Sequence, residues 1–167
     1  MKQDKFLTVF AVFDDATQQK LKTYQDSVLS LGYSGTQTMG IPFHISLGSF
    51  KVEEERELKA RIKEVCSQNR EFEIGFNQVN HFNHRVLFIE PEESIKLNRL
   101  HHLFDSNFAD GFPWYAHATI FCGSETQVIE AKKCLNDVFT PFTAKITEIQ
   151  MGEFFPTRMI IREKLRS

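Results

Sequence analysis

Two stretches decide how this chain is read: Pro42-Phe43-His44-Ile45-Ser46-Leu47-Gly48-Ser49-Phe50, and Tyr115-Ala116-His117-Ala118-Thr119-Ile120-Phe121-Cys122. Successive side chains of a strand point to opposite faces, so His44 and Ser46 share one face while Ile45 and Leu47 take the other. The second stretch repeats this, with His117 and Thr119 outward and Ala118 and Ile120 inward. Six histidines against 21 Ser and Thr in 167 residues give roughly 0.75 chance pairings of this kind, so the tripeptides alone decide little. Their context decides more. Both sit in apolar, strand-like runs, both are followed by a helix, and they hold equivalent places in a repeat.

Outward from these motifs the chain alternates strands and helices. Phe6 to Phe13 reads as a buried strand, and Leu21, Tyr24, Val28 and Leu31 mark a helix over 17–31. Gly32, Gly35 and Gly40 punctuate the loop that ends at Pro42. After the first motif, the acidic run from Glu53 opens a helix carrying Leu58, Ile62 and Val65; it is a helix start favoured by the dipole rather than a binding patch. Strands follow near 72–80 and 85–90, turning at Asn83-His84. A helix over 94–108 presents Leu97, Leu100, Phe104 and Phe108. After the second motif, Ser124 and Gln127 form a capping box before Val128, Ala131, Leu135 and Val138. Two last strands lie near 142–154 and 158–164. Each half thus shows strand, helix, loop, motif strand, acidic-capped helix and strand, with the motifs 73 residues apart. The repeat predicts two similar lobes whose motif strands face each other across a cleft. No linker composition separates the halves, so residues 1–167 are expected to form one domain.

Composition narrows the classes. Hydrophobic residues make up 41% and charged residues 25%, an ordinary globular balance. The 17 Phe, against 3 Tyr and 1 Trp, predict an aromatic core without polar atoms to satisfy. A net charge of −2 gives no basic field for a long duplex, so any RNA would be gripped locally, at an end. Cys66, Cys122 and Cys134 are odd in number and lack C-x-x-C spacing, which argues against a disulfide framework or a zinc ribbon and for a reducing compartment. Lys2 and Lys5 precede an apolar run, but that run is β-branched and aromatic and lacks a small-residue cleavage site. No segment has the length and apolarity of a membrane span. A cytoplasmic protein that does not engage a membrane is the expectation, and no obligate protein partner is inferred.

Two imidazoles and two hydroxyls around one point suit phosphodiester chemistry without a metal. A neutral imidazole takes a proton from the attacking water or hydroxyl, and a protonated one returns a proton to the leaving oxygen. The hydroxyls donate to the non-bridging phosphate oxygens. His-Ile-Ser-Leu and His-Ala-Thr-Ile, with the duplicated layout, resemble the two-histidine (2H) phosphoesterase superfamily, which includes 2′-5′ RNA ligase and cyclic phosphodiesterase proteins. Pro42-Phe43 is similar to that family's approach to its first motif, and the stretch from Phe82 to Ile89 to its central strand pair. Tyr115-Ala116 stands where many relatives carry a proline.

The resemblance implies a bilobal α+β fold: two antiparallel-type sheets facing a central cleft, with helices on their outer faces. It also implies that no metal or other cofactor is needed. It carries catalytic roles onto His44 and His117 and phosphate-binding roles onto Ser46 and Thr119. The implied substrates are RNA ends or small cyclic nucleotides with 2′,3′-cyclic phosphate or 2′-5′ linkages, in the hydrolytic or the ligating direction. The alternative is a protein that binds such an end in the same cleft without turning it over. Secondary substrate-binding candidates are Phe43, Trp114 and Tyr115, the last two as base-stacking rings, and Arg85 and Arg158 as strand-end cations. His81-x-x-His84 and His101-His102 with Asp105 read as turn and surface-helix residues, since no further ligand converges on them. Strict alternation places Cys122 opposite His117, buried and inert.

Overall fold

The computed structural model describes residues 4–35, 40–105 and 113–167. Its elements run β1 (Phe6–Phe13), α1 (Asp15–Leu29), β2 (His44–Lys51), a 3-10 turn (Val52–Glu54), α2 (Glu55–Gln68), β3 (Phe72–Phe82), β4 (Val86–Pro91), α3 (Ile95–Leu103), β5 (Ala118–Cys122), α4 (Glu125–Val138), β6 (Phe142–Phe154) and β7 (Arg158–Lys164). The order strand, helix, strand, helix, strand thus occurs twice, with β7 added at the end.

Local chemistry sets the boundaries. Asp14 Oδ1 accepts from the Thr17 N–H at 3.0 Å, so α1 begins two residues before the expected start. Ser94 caps α3 in the same way, and Ser124 and Gln127 form the expected capping box on α4. The third helix ends at Leu103, and the end expected at Phe108 falls outside the described residues. Asn83 and His84 have φ of 48° and 51°, and the Arg85 N–H returns to Phe82 O at 2.8 Å. That is the twist-matched two-residue hairpin, with Asn at a position that tolerates the left-handed conformation.

The fold is α+β and its named strands pair antiparallel, but the two expected sheets are joined into one of seven strands. The order is β2-β1-β6-β3-β4-β5, with β7 on the far side of β6. Long β6 makes the join: residues 146–154 pair with β1 and residues 142–146 with β3. With β1, β2 and β3 equivalent to β4, β5 and β6 in the two half-repeats, the order is a palindrome, which puts the equivalent strands β2 and β5 at opposite ends. The sheet curls enough to bring these two edges within 8 Å, Cα to Cα. All four helices bury their apolar stripes in one core against one sheet face, through residues such as Leu21, Ile62, Leu100 and Leu135. On the opposite face Phe10, Val12, Ile41 and Phe154 form a smaller cluster beside the first motif.

Candidate active site

Sheet register determines which side chains reach the cleft. Ser46 lies opposite Phe10, which lies opposite Gln150; His44 lies opposite Val12, which lies opposite Glu148. These rows share the face turned away from the helices. In the other half, Thr119 lies opposite Phe88, and Phe88 opposite Asn80. His117 directly precedes β5, so the strand begins one residue later than expected.

The two histidines are held alike. His44 Nδ1 lies 2.8 Å from Pro42 O, and His117 Nδ1 lies 2.7 Å from Tyr115 O. A carbonyl only accepts, so Nδ1 carries the hydrogen in both rings and proton exchange falls to Nε2. Each ring rests on a phenylalanine of the neighbouring strand, with centroids 4.6 Å apart for Phe10–His44 and 5.1 Å for Phe88–His117. Burial lowers the pKa of both imidazoles, while the carbonyl contacts oppose the shift. His44 is lowered further by the charge of His117, so the two rings lie close enough to feel each other. Both are half-buried, as are Ser46 and Thr119. Among the described residues, no protein group engages either hydroxyl or either Nε2.

His44 and Thr119 lie outside the lining of the neighbouring cleft, whose wall holds Ser46, Ser49, Phe82, Trp114, Tyr115 and His117 and whose volume is about 840 Å³. That is within the size range of small-molecule sites. Tyr115 is exposed at the cleft; its hydroxyl meets Glu90, whose carboxylate raises the phenol pKa. Trp114 is fixed. Its indole lies flat on His101, with centroids 4.0 Å apart and planes 5° apart, and its Nε1 donates to Ser46 O at 2.8 Å. His101 Nδ1 in turn lies 2.8 Å from Leu47 O. Two stacked rings therefore clamp consecutive carbonyls of the first motif strand. This makes His101 part of the cleft wall rather than a surface-helix residue, which spacing alone did not reveal.

Three secondary candidates lie elsewhere. Phe43 alternates with His44, so its ring enters the helix-side core at 7% exposure and does not meet a cleft ligand. Arg158 lies opposite Glu153 on the helix face, where it pairs with Glu55 at 2.5 Å and Glu153 at 3.4 Å. Arg85 is exposed beside the hairpin turn and is not in the cleft wall. Cys122 is also corrected. A bulge between the Phe88–Thr119 and Leu87–Phe121 pairs inverts the alternation, so Cys122 opposite Val86 shares the face of Thr119 and is half-buried. His84 donates its N–H to His81 Nδ1 at 3.1 Å and the two rings stack, so this pair organises the hairpin turn. Among the described residues, no three or more His, Cys, Asp or Glu side chains converge as a metal site. No helix among them is long and apolar enough to cross a membrane.

A search of curated proteins finds no match. Escherichia coli LigT, in the crystal structure complexed with ATP, superposes with a TM-score of 0.67 at 14% identity, over 99% of this chain and 100% of that one. TT0787 of Thermus thermophilus gives 0.63 at 12% identity, over 97% and 98%. At such identities the likeness establishes the fold. The family model described as the 2′-5′ RNA ligase superfamily matches residues 13–154, which span both motifs. The chain belongs to that superfamily, among the two-histidine phosphoesterases.

Proposed function

We propose that this protein is a phosphoesterase that opens 2′,3′-cyclic phosphates of nucleotides or RNA ends by acid–base catalysis from His44 and His117, without a metal. The observation that carries this reading is the matched pair of imidazoles, each with Nδ1 tied to the carbonyl two residues before it. Two protonated rings repel each other, so the pair passes through a singly protonated state. In that state Nε2 of the neutral imidazole takes a proton from the attacking water as its oxygen bonds to phosphorus. Nε2–H of the protonated imidazole gives its proton to the ribose oxygen as the P–O bond to that oxygen breaks. A phosphomonoester and a free ribose hydroxyl result. Ser46 and Thr119, with unengaged hydroxyls, donate to the non-bridging oxygens as charge builds there. With a 5′-hydroxyl in place of water as the nucleophile, the same groups join two ends through a 2′-5′ bond as the P–O bond to the 3′ oxygen breaks.

LigT, with the same fold, has been crystallised with 3′-AMP, a relative's ligand consistent with a nucleotide in this cleft. The test is incubation, with EDTA present, with an oligoribonucleotide ending in a 2′,3′-cyclic phosphate. One phosphomonoester is expected, and its formation is expected to drop by at least about 100-fold in His44→Ala and in His117→Ala. Full activity in either folded variant would refute the mechanism. A tight complex with no product would identify a binding protein instead.

A further inference from the structure

The two motif strands are not neighbours. β2 and β5 stand at opposite ends of the strand order, and no ladder joins them. Each therefore has an edge whose backbone groups need partners from outside the sheet. Helix α1 supplies several of them. Gln18 binds the residue before His44 as an adjacent strand would: its Nε2 donates to Phe43 O at 2.8 Å, and the Phe43 N–H donates to its Oε1 at 2.9 Å. Seven residues later, two turns on and on the same side of the helix, Gln25 Nε2 donates to Ile120 O at 2.9 Å. Ile120 follows Thr119 directly. One helix thus holds the entrance of the first motif and the exit of the second, at points about 10.5 Å apart along its axis. Neither glutamine reaches the cleft wall.

We propose that Gln18 and Gln25 are positioning residues, and that α1 is the spacer fixing the separation of His44 from His117. This rests on the two-histidine reading of the site. An α-helix is far stiffer than a curled sheet edge, and its two side-chain amides bond backbone rather than mobile side chains. A shift of about 1 Å between catalytic groups costs about 100-fold in rate, so control of this distance has kinetic consequences.

The test uses Gln18→Met and Gln25→Met, which keep an unbranched helix former of similar length and remove the amide. In each folded variant, kcat on a 2′,3′-cyclic phosphate is expected to fall about 10- to 100-fold while KM moves less than about threefold. The double variant is expected to be little worse than either single one, since releasing one end already breaks the path through α1 and leaves the Trp114–Ser46 bond as the remaining tie. Gln25→Lys, which keeps an N–H donor of similar reach, restores most of the rate. A readout independent of turnover is NMR titration of the imidazoles. His117→Ala is expected to raise the His44 pKa in the wild-type background, and to raise it less in Gln25→Met, because a wider pair is more weakly coupled. Unchanged coupling, with kcat within about twofold of wild type, would overturn the spacer. Absence of turnover in the wild-type protein would instead overturn the proposed function, and the NMR cycle would still decide the spacer.

Discussion

Acidification offers a direct check on the environment of the two imidazoles. Burial holds both His44 and His117 below the ordinary histidine value, and the charge of His117 adds to the effect at His44. In the unfolded chain both titrate near about 6.5. Between the folded and unfolded values the unfolded state binds more protons, so stability falls as the pH falls through that window. Above the unfolded value the contribution is intact, and below the folded values it is lost. Each imidazole contributes at most about 1.4 kcal/mol per pH unit, so the pair sets a ceiling of about 2.7 kcal/mol per unit. The assay is urea unfolding followed by circular dichroism from about pH 7.5 to about pH 5.5, comparing wild type with a His44→Gln/His117→Gln double variant. His81, also lowered, and the carboxylates are common to both proteins, so the difference in slope isolates the motif pair. The variant should lose stability less steeply. A slope equal to that of wild type would refute the claim that these rings are folded in their neutral forms.

Two further substitutions probe the clamp on the first motif strand. Trp114→Phe keeps the aromatic face toward His101 but leaves Ser46 O without its donor; a loss of about 1–3 kcal/mol in urea unfolding is expected, and no loss would show the indole bond to be dispensable. In Gly48→Ala, the added Cβ meets the backbone carbonyl of Phe104, so the strand or the end of α3 must move; a destabilisation of about 1–3 kcal/mol by thermal melting is expected, and an unchanged melting temperature would refute that close approach.

The features that were legible in the sequence are those written in local chemistry. Asn83-His84 marks a turn because few residues tolerate that backbone, and Ser124 with Gln127 marks a helix start because both groups lie within four residues of each other. His-x-Ser and His-x-Thr announce a shared face because strand alternation is local. What remained hidden depends on partners far along the chain. The joining of two sheets through β6 is a choice of neighbour, and the apolar pattern of Ile146 and Ile149 is the same for either arrangement. The bulge that turns Cys122 toward the cleft face leaves no mark in Ile120-Phe121. As a strand-end cation Arg158 suits a place near phosphate, but its register opposite Glu153 sends it to the helix side. Gln18 and Gln25 look like ordinary polar positions on an amphipathic helix until Phe43 and Ile120 are brought beside them.

The bridging strand also constrains how the protein can be made. β1 is flanked in the finished sheet by β2, which follows it closely, and by β6, which emerges from the ribosome almost a whole chain later. Until then one edge of β1 is bare, and β3 has neither β6 nor any other link to the β1–β2 pair. A nascent chain that has reached only Phe82 therefore holds the β1–β2 pair and an unpaired β3, and consolidation of the first motif strand waits for the last third of the sequence.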